Sequence, residues 1–254
     1  MTHRLKKEKD YSYIEAGEGT PIIVLHGLMG GLSNFDSVTK HFSQNGYKVV
    51  IPELPIYDMS LLKTNVKSFA KYLHEFIEFK GYEEAILLGN SLGGHIGLYH
   101  TKHYPEKIKA LVITGSSGLY ESAMGSGYTK RSDYNVIKKK AEDVFYDPAV
   151  ATKEIVDEVY ETVNDRNKLI KTLAIAKSAI RHNMSKDLPK METPTCIIWG
   201  KNDTVTPPEV AEEFNALLPD SELFWIDKCG HAAMMEHPEL FNKILADWLT
   251  KREL

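Results

Sequence analysis

The chain alternates short apolar runs with longer stretches in which apolar residues recur every three or four positions. The runs show no polar alternation, which is typical of strands buried on both faces of a parallel sheet. The strand candidates are residues 21–25, 47–51, 85–88, 110–114, 195–199 and 222–226. Helical spacing occurs between or after most of them, at residues 35–42, 66–79, 91–103, 208–217 and 238–249. The alternation predicts an α/β fold with a mostly parallel sheet of about eight strands and helices on both faces.

This alternation is interrupted between residues 118 and 190, where no strand pattern occurs. Residues 136–145, 153–163 and 165–181 instead have the spacing of amphipathic helices. A helical block between two strands is best explained as a layer over the carboxyl edge of the sheet. The sequence therefore predicts a core domain of residues 1–117 and 191–254, with a helical cap, or lid, at residues 118–190.

Length and charge restrict the function classes. The 254 residues suffice for one domain with an insertion, and the near balance of 31 basic and 35 acidic residues gives no reason to expect a nucleic-acid partner. The two cysteines, Cys196 and Cys229, accompany apolar runs and indicate reduced, buried thiols. The first residues lack the apolar segment of a signal peptide, and no apolar stretch approaches the roughly 20 residues of a membrane span. We therefore expect a cytoplasmic protein without a membrane partner.

A serine stands between glycines where a strand candidate gives way to a helix candidate. The segment Gly89-Asn90-Ser91-Leu92-Gly93 has the pattern G-x-S-x-G, in which a strained turn displays the serine and demands small neighbours. The alternative is that the glycines only form a tight turn and that Ser91 caps the helix. Because a helix N-terminus also stabilises negative charge beside the serine, we interpret Ser91 as a nucleophile.

A serine hydroxyl needs a base to take its proton and an acid to orient that base. Among the ten histidines, His231 differs in lying in a loop after a strand candidate and directly behind Gly230. Asp203 follows another strand candidate, although an Asx-turn or helix cap would also explain it. Asp227 is the second choice, but it lies too close in sequence to His231. Ser91, Asp203 and His231 are the predicted catalytic residues.

A glycine-rich loop at residues 26–31 follows the first strand candidate. Its backbone can turn N–H groups toward the serine, so the N–H groups of Leu28 and Leu92 are the expected oxyanion hole. The competing interpretation is a phosphate-binding turn, but the G-x-G-x-x-G spacing and the P-loop lysine are absent. No cofactor and no metal ion are expected.

Four short motifs together resemble the signatures of the α/β-hydrolase superfamily: His26-Gly27, residues 89–94, residues 200–203 and Gly230-His231. In that superfamily the triad has the chain order Ser…Asp…His, as it has here. The resemblance extends from residue 13 to residue 248 and implies the α/β-hydrolase fold, with the helical block as the cap.

The segment GNSLGG and residues 144–160 look most like the hydrolases that cleave carbon–carbon bonds in meta-ring-fission products. Those enzymes usually carry a lid arginine where this chain has Val159, and a tryptophan directly after the catalytic histidine, where it has Ala232. The segment IPELPIYDMS also lacks the D-x-x-G-x-G of many superfamily members. The resemblance therefore implies the fold and the triad rather than a substrate.

Residues next to the site in sequence predict the character of the substrate. Met29, Ala232 and Met234 are the expected pocket residues, and they make the pocket apolar and adaptable. We hypothesise a serine carboxylesterase that acts through an acyl-enzyme on a small to medium, mainly apolar ester. Carbon–carbon hydrolysis of vinylogous diketones is the second hypothesis, and a non-catalytic small-molecule receptor is the third. The expected partner is a small-molecule substrate, and both a monomer and a homodimer remain open.

Overall fold

The structure is a computed structural model that describes residues 4–120 and 130–254. Its sheet has eight strands in the order β1-β2-β4-β3-β5-β6-β7-β8. The strands are β1 (Lys6–Glu8), β2 (Tyr11–Ala16), β3 (Thr20–Leu25), β4 (Tyr47–Pro52), β5 (Ala85–Asn90), β6 (Ile108–Thr114), β7 (Thr195–Gly200) and β8 (Ser221–Ile226). Strand β2 pairs antiparallel with both β1 and β4, and every other pairing is parallel. The predicted eight-stranded, mostly parallel sheet is confirmed.

Helices cover both faces of this sheet, as the alternation predicts. They are α1 (Asp36–Ser43), α2 (Val66–Lys80), α3 (Leu92–His103), α4 (Tyr134–Glu142), α5 (Lys153–Asn164), α6 (Arg166–Arg181), α7 (Pro208–Leu217), α8 (Ala233–Glu236) and α9 (Pro238–Lys251). Alternate residues of the central strands bury their side chains in different layers. Ile23 and Leu87 belong to the layer that includes residues of α2, α3 and α7, whereas Ile22 and Leu88 belong to the layer of α1 and α9. The strands are therefore apolar on both faces, which explains their unbroken hydrophobic runs.

The interval between β6 and β7 is helical in its described part, where no strand occurs. Helices α4, α5 and α6 pack on one another through a small core of Ile137, Val163 and Leu169. Asp133 and Asp165 begin α4 and α6 by accepting backbone N–H groups of the first turn. The predicted start of α4 at residue 136 is wrong by two residues, because the Asp133 cap sets the first turn. The domain boundaries at residues 117 and 191 stay a prediction.

Both cysteines have the environment that the sequence predicts. Cys196 and Cys229 are free thiols buried in the core. Within the described ranges, no helix has the length and the apolar character that crossing a membrane requires.

Candidate active site

Ser91 occupies a sharp turn between β5 and α3, with backbone angles of φ 55° and ψ −119°. Steric contacts explain why glycine is required two residues before and two residues after Ser91. A Cβ atom on Gly89 would lie 2.4 Å from the carbonyl carbon of Gly93, and one on Gly93 would lie 2.1 Å from the carbonyl oxygen of Leu25. No side chain fits at either position, so the turn can close only with glycine there. The pattern predicts this requirement two residues before and after Ser91.

The surrounding backbone holds Ser91 in this unfavourable conformation. A non-glycine residue in such a region of φ and ψ costs roughly 1–3 kcal/mol and needs support from its neighbours. Here the Ser91 N–H donates to the Thr114 carbonyl over 3.0 Å, and the Ser91 carbonyl accepts the N–H groups of His95 and Ser117. The side chain of Ser91 contributes no cap to α3 and lines a cavity instead. The geometry therefore favours display of the hydroxyl over helix capping.

His231 and Asp203 lie side by side at the carboxyl edge of the sheet. His231 Nδ1 is 2.9 Å from Asp203 Oδ2, and an ionised carboxylate only accepts, so Nδ1 carries the hydrogen. Asp203 also accepts the N–H groups of Val205 and Thr206 and the Thr206 hydroxyl, over 2.8 to 2.9 Å. The carboxylate thus forms a turn cap and orients the imidazole at the same time. Asp227 instead lies exposed at the surface, 3.9 Å from the Lys201 ammonium group.

Close backbone contacts fix the loop that carries His231. The Asn90 amide donates both to the His231 carbonyl, over 3.2 Å, and to the Thr114 carbonyl, over 3.0 Å. Gly115 has φ 52°, and a Cβ atom there would lie 2.8 Å from His231 Nδ1. Sequence reasoning did not identify Asn90 and Gly115, because their importance comes from contacts about 115 to 140 residues away along the chain.

A cavity of about 340 Å³ lies at these residues. Its lining includes Ser91, His231, Leu28, Leu92, Met29 and Ala232, and it also includes residues of α4, α5 and α6. Met234 does not line it, although the sequence predicts that it does. Its side chain is buried in the core layer of α1 and α9, and Met235 lines the cavity instead. Both residues belong to helix α8, where successive side chains point in directions about 100° apart, so only one of the pair reaches the cavity.

Backbone N–H groups stand beside Ser91. Leu92 is the first residue of α3, so its N–H has no acceptor within the helix. The loop after β3 packs closely, because a Cβ atom on Gly27 would lie 3.2 Å from the Ser91 Cβ. Met29 has φ 78°, and the Gly30 N–H donates to the Gly27 carbonyl across this turn. The loop and the helix start thus bring Leu28 and Leu92 to the same cavity as Ser91.

The cavity lining contains few charges. In the described part of the chain these are Lys140, Asp143 and Glu158, and no arginine lines the cavity. Arg166 and Arg181 are exposed on α6 outside the lining. No group of three or more side chains suited to bind a metal ion occurs among residues 4–120 and 130–254.

Known proteins resemble this chain along most of its length. The model of a family described as alpha/beta hydrolase fold matches residues 20–155 and 133–238. The chain belongs to this family. A solved α/β hydrolase from the metagenome of sediments of the Mar Chica lagoon in Morocco is 64% identical, covers 99% of this chain and 100% of its own, and superposes with a TM-score of 0.83.

More distant relatives of this α/β hydrolase have named activities. A 2-hydroxy-6-oxononadienedioate/2-hydroxy-6-oxononatrienedioate hydrolase from Pseudomonas sp is 26% identical, over 93% of this chain and 90% of the relative. Lipase 1 from Psychrobacter immobilis is also 26% identical, over 88% of this chain and 75% of the relative. Taken with the family match, these relatives identify the protein as a hydrolase on the α/β fold.

Proposed function

We propose that this α/β hydrolase is a serine carboxylesterase that acts through an acyl-enzyme. Ser91 Oγ attacks the ester carbonyl while His231 takes its proton, and His231 then gives that proton to the departing alcohol. Asp203 holds the imidazole in the required tautomer and stabilises its charge. The N–H groups of Leu28 and Leu92 donate to the oxyanion. A water deprotonated by His231 then attacks the acyl group, which leaves as the acid and restores Ser91.

The apolar cavity around Ser91 is the observation that carries the choice of an uncharged ester. Leucine, methionine, valine, isoleucine and alanine side chains form most of its lining. Lys140 is accompanied there by Glu158 and by Asp143, and the Asp143 carboxylate also lies 2.8 Å from the Lys139 ammonium group. Lys140 therefore stands among carboxylates rather than in a positive patch, which does not favour an anionic substrate. The volume of about 340 Å³ lies near the lower end of the usual range for small-molecule sites, which suits a small to medium ester.

Carbon–carbon hydrolysis of a vinylogous diketone is the second candidate. It is favoured by the names of several relatives, such as the 2-hydroxy-6-oxo-6-phenylhexa-2,4-dienoate hydrolase of Burkholderia cepacia, which is 25% identical. Lys140 in the lining supplies a cation that could face a substrate carboxylate. Against it stand Val159 and Ala232, which line the cavity at the positions where those enzymes usually carry arginine and tryptophan.

A parallel substrate screen separates these candidates and the receptor alternative. Purified protein is assayed with p-nitrophenyl esters of graded chain length and with a vinylogous 1,5-diketone acid, and Ser91→Ala is the control for each substrate. We expect the fastest turnover with an ester of short to medium chain, and its loss in the variant. Faster turnover of the diketone acid than of every ester would favour carbon–carbon hydrolysis, and a single slow turnover with all substrates would favour a receptor.

A further inference from the structure

One carboxylate joins the loop of His231 to the wall of the cavity. Glu236, at the end of α8, accepts the Gly230 N–H through Oε2. Its Oε1 accepts two more N–H groups, from Tyr146 over 2.7 Å and from Asp147 over 3.0 Å. Gly230 directly precedes His231, whereas Tyr146 and Asp147 belong to the segment between α4 and α5. A single side chain thus fixes the spacing between two segments about 85 residues apart.

The segment of residues 143–147, here named the α4–α5 connection, also touches the predicted catalytic residues. The His231 N–H donates to the Val144 carbonyl over 2.9 Å. The hydroxyl of Thr204, the neighbour of Asp203, donates to the Asp143 carbonyl over 3.1 Å. The contact at Gly230 is tight, since a Cβ atom there would lie 2.5 Å from the Val144 carbonyl oxygen. Movement of the α4–α5 connection would therefore move the backbone of His231.

The same connection forms part of the substrate cavity. Asp143, Val144 and Phe145 line it, as do Leu28 and Leu92. A group that holds this connection in place therefore sets two distances at once. One is the distance from the imidazole to Ser91, and the other is the width of the cavity.

We propose that Glu236 is a positioning residue, which acts through Gly230 and the α4–α5 connection to hold His231 in register with Ser91 and to set the cavity wall. The proposal rests on the proposed ester hydrolysis. A carboxylate suits the role because both of its oxygens only accept, and three N–H groups surround them. Glutamine has the same length but would turn an NH₂ group toward at least one of these donors. Aspartate keeps the charge but is one methylene too short to span both segments.

The test compares Glu236→Gln and Glu236→Asp with wild type, and Glu239→Gln is the matched control. Glu239 is an exposed glutamate of the first turn of α9, outside the cavity lining. A fluorophosphonate titrates active serines, and intact mass gives its rate of labelling. The kcat and KM values for the acetate and octanoate esters of p-nitrophenol are then expressed per titrated site. Circular dichroism reports whether each variant is folded.

We expect kcat per titrated site to fall about tenfold with p-nitrophenyl acetate in Glu236→Gln, because displacements of a fraction of an ångström in a catalytic group cost rates of that order. KM for the acetate should change less than twofold, whereas KM for the octanoate should rise, because the longer acyl chain has more apolar surface to place against a lining that includes Val144 and Phe145. Labelling should slow in parallel with kcat, and Glu239→Gln should match wild type.

A purely structural role would give a different result. Glu236→Gln would then lower the thermal midpoint of unfolding or the fraction of titrated active sites. The values of kcat, KM and the labelling rate per titrated site would stay within twofold of wild type. This result would overturn the proposal. If Glu236→Gln does not fold, the labelling rate of Glu236→Asp decides by the same criterion. Failure of the proposed function is separate: wild type would then hydrolyse no ester, while the labelling rates would still test Glu236.

Discussion

His100 provides a test of the energetics of burial on α3. Its imidazole is fully buried, and neither ring nitrogen has a hydrogen-bond partner in the described part of the protein. Burial, together with the smaller effects of His74 and His103, lowers the pKa of His100 from the ordinary value of 6.5 to about 3. The prediction is that His100→Leu weakens the loss of stability in acid.

The magnitude follows from proton linkage. Well above pH 6.5 the imidazole is neutral in both states, so it has no effect there on the free energy of unfolding. As the pH falls toward and below 6.5, the unfolded chain takes up a proton that the folded chain does not bind, and the free energy of unfolding decreases. At pH 5 the imidazole of His100 lowers the free energy of unfolding by about 2 kcal/mol. This is a considerable share of the roughly 5–15 kcal/mol by which a typical domain is stable. Leucine has no proton to take up, and it replaces an unpaired polar ring by an apolar group of similar size.

Urea unfolding followed by circular dichroism at pH 8, 7, 6 and 5 measures this effect. The free energy of unfolding of His100→Leu should fall by about 2 kcal/mol less than that of wild type between pH 8 and pH 5. Tyr99→Phe, which changes the preceding residue of α3 without removing an imidazole, should keep the wild-type difference. An identical acid loss in His100→Leu and wild type would refute the reasoning.

Three further predictions concern the site. Gly93→Ala should destabilise the fold by about 3 kcal/mol in thermal or urea unfolding, because its Cβ would lie 2.1 Å from the Leu25 carbonyl oxygen. Gly97→Ala should cost far less, because the atom nearest to its Cβ is a Leu111 methyl carbon at 3.2 Å. Equal effects of the two substitutions would contradict the account of the turn. Asp203→Asn should lower kcat for p-nitrophenyl esters about 10⁴-fold. Thr206→Val removes one of several hydrogen bonds to Asp203 and should lower kcat in the same assay only a few-fold. A larger loss in Thr206→Val than in Asp203→Asn would count against Asp203 as the orienting acid. Lys140→Met should leave kcat/KM for uncharged esters within twofold of wild type. A large loss of kcat/KM with these esters would show that the apolar lining does not govern the choice of substrate.

The sequence predicts the central strands and the surrounding helices because their signals are local. Residues 85–88 and 196–199 are unbroken apolar runs, which is typical of strands buried on both faces. Strands β1 and β2 give no such signal. The side chains of β1 are exposed and polar, and β2, which lies next to the edge of the sheet, buries only Tyr13 and Ile14. Pairing with neighbouring strands rather than a long apolar run therefore defines both. The four residues of α8 are too few to show helical periodicity.

In the candidate site, too, local features are predictable from the sequence and long-range contacts are not. Ser91 and its glycines are predictable because one turn determines which residues fit. Met234 was a wrong pocket prediction, because nearness to His231 in sequence does not determine which side of α8 faces the cavity. The sequence does not predict the roles of Glu236 and Asn90, because each side chain forms hydrogen bonds with backbone groups that only the fold brings near it.

The most direct test of the central claim is rapid mixing of the protein with p-nitrophenyl butyrate, followed by acid quenching and peptide mass analysis. The account predicts many turnovers per molecule and a butyryl group transiently bound to the peptide that contains Ser91. Ser91→Ala should show neither, while its circular dichroism spectrum stays that of wild type. An acyl group on another residue, or turnover by Ser91→Ala at the wild-type rate, would contradict the assignment of Ser91 as the nucleophile.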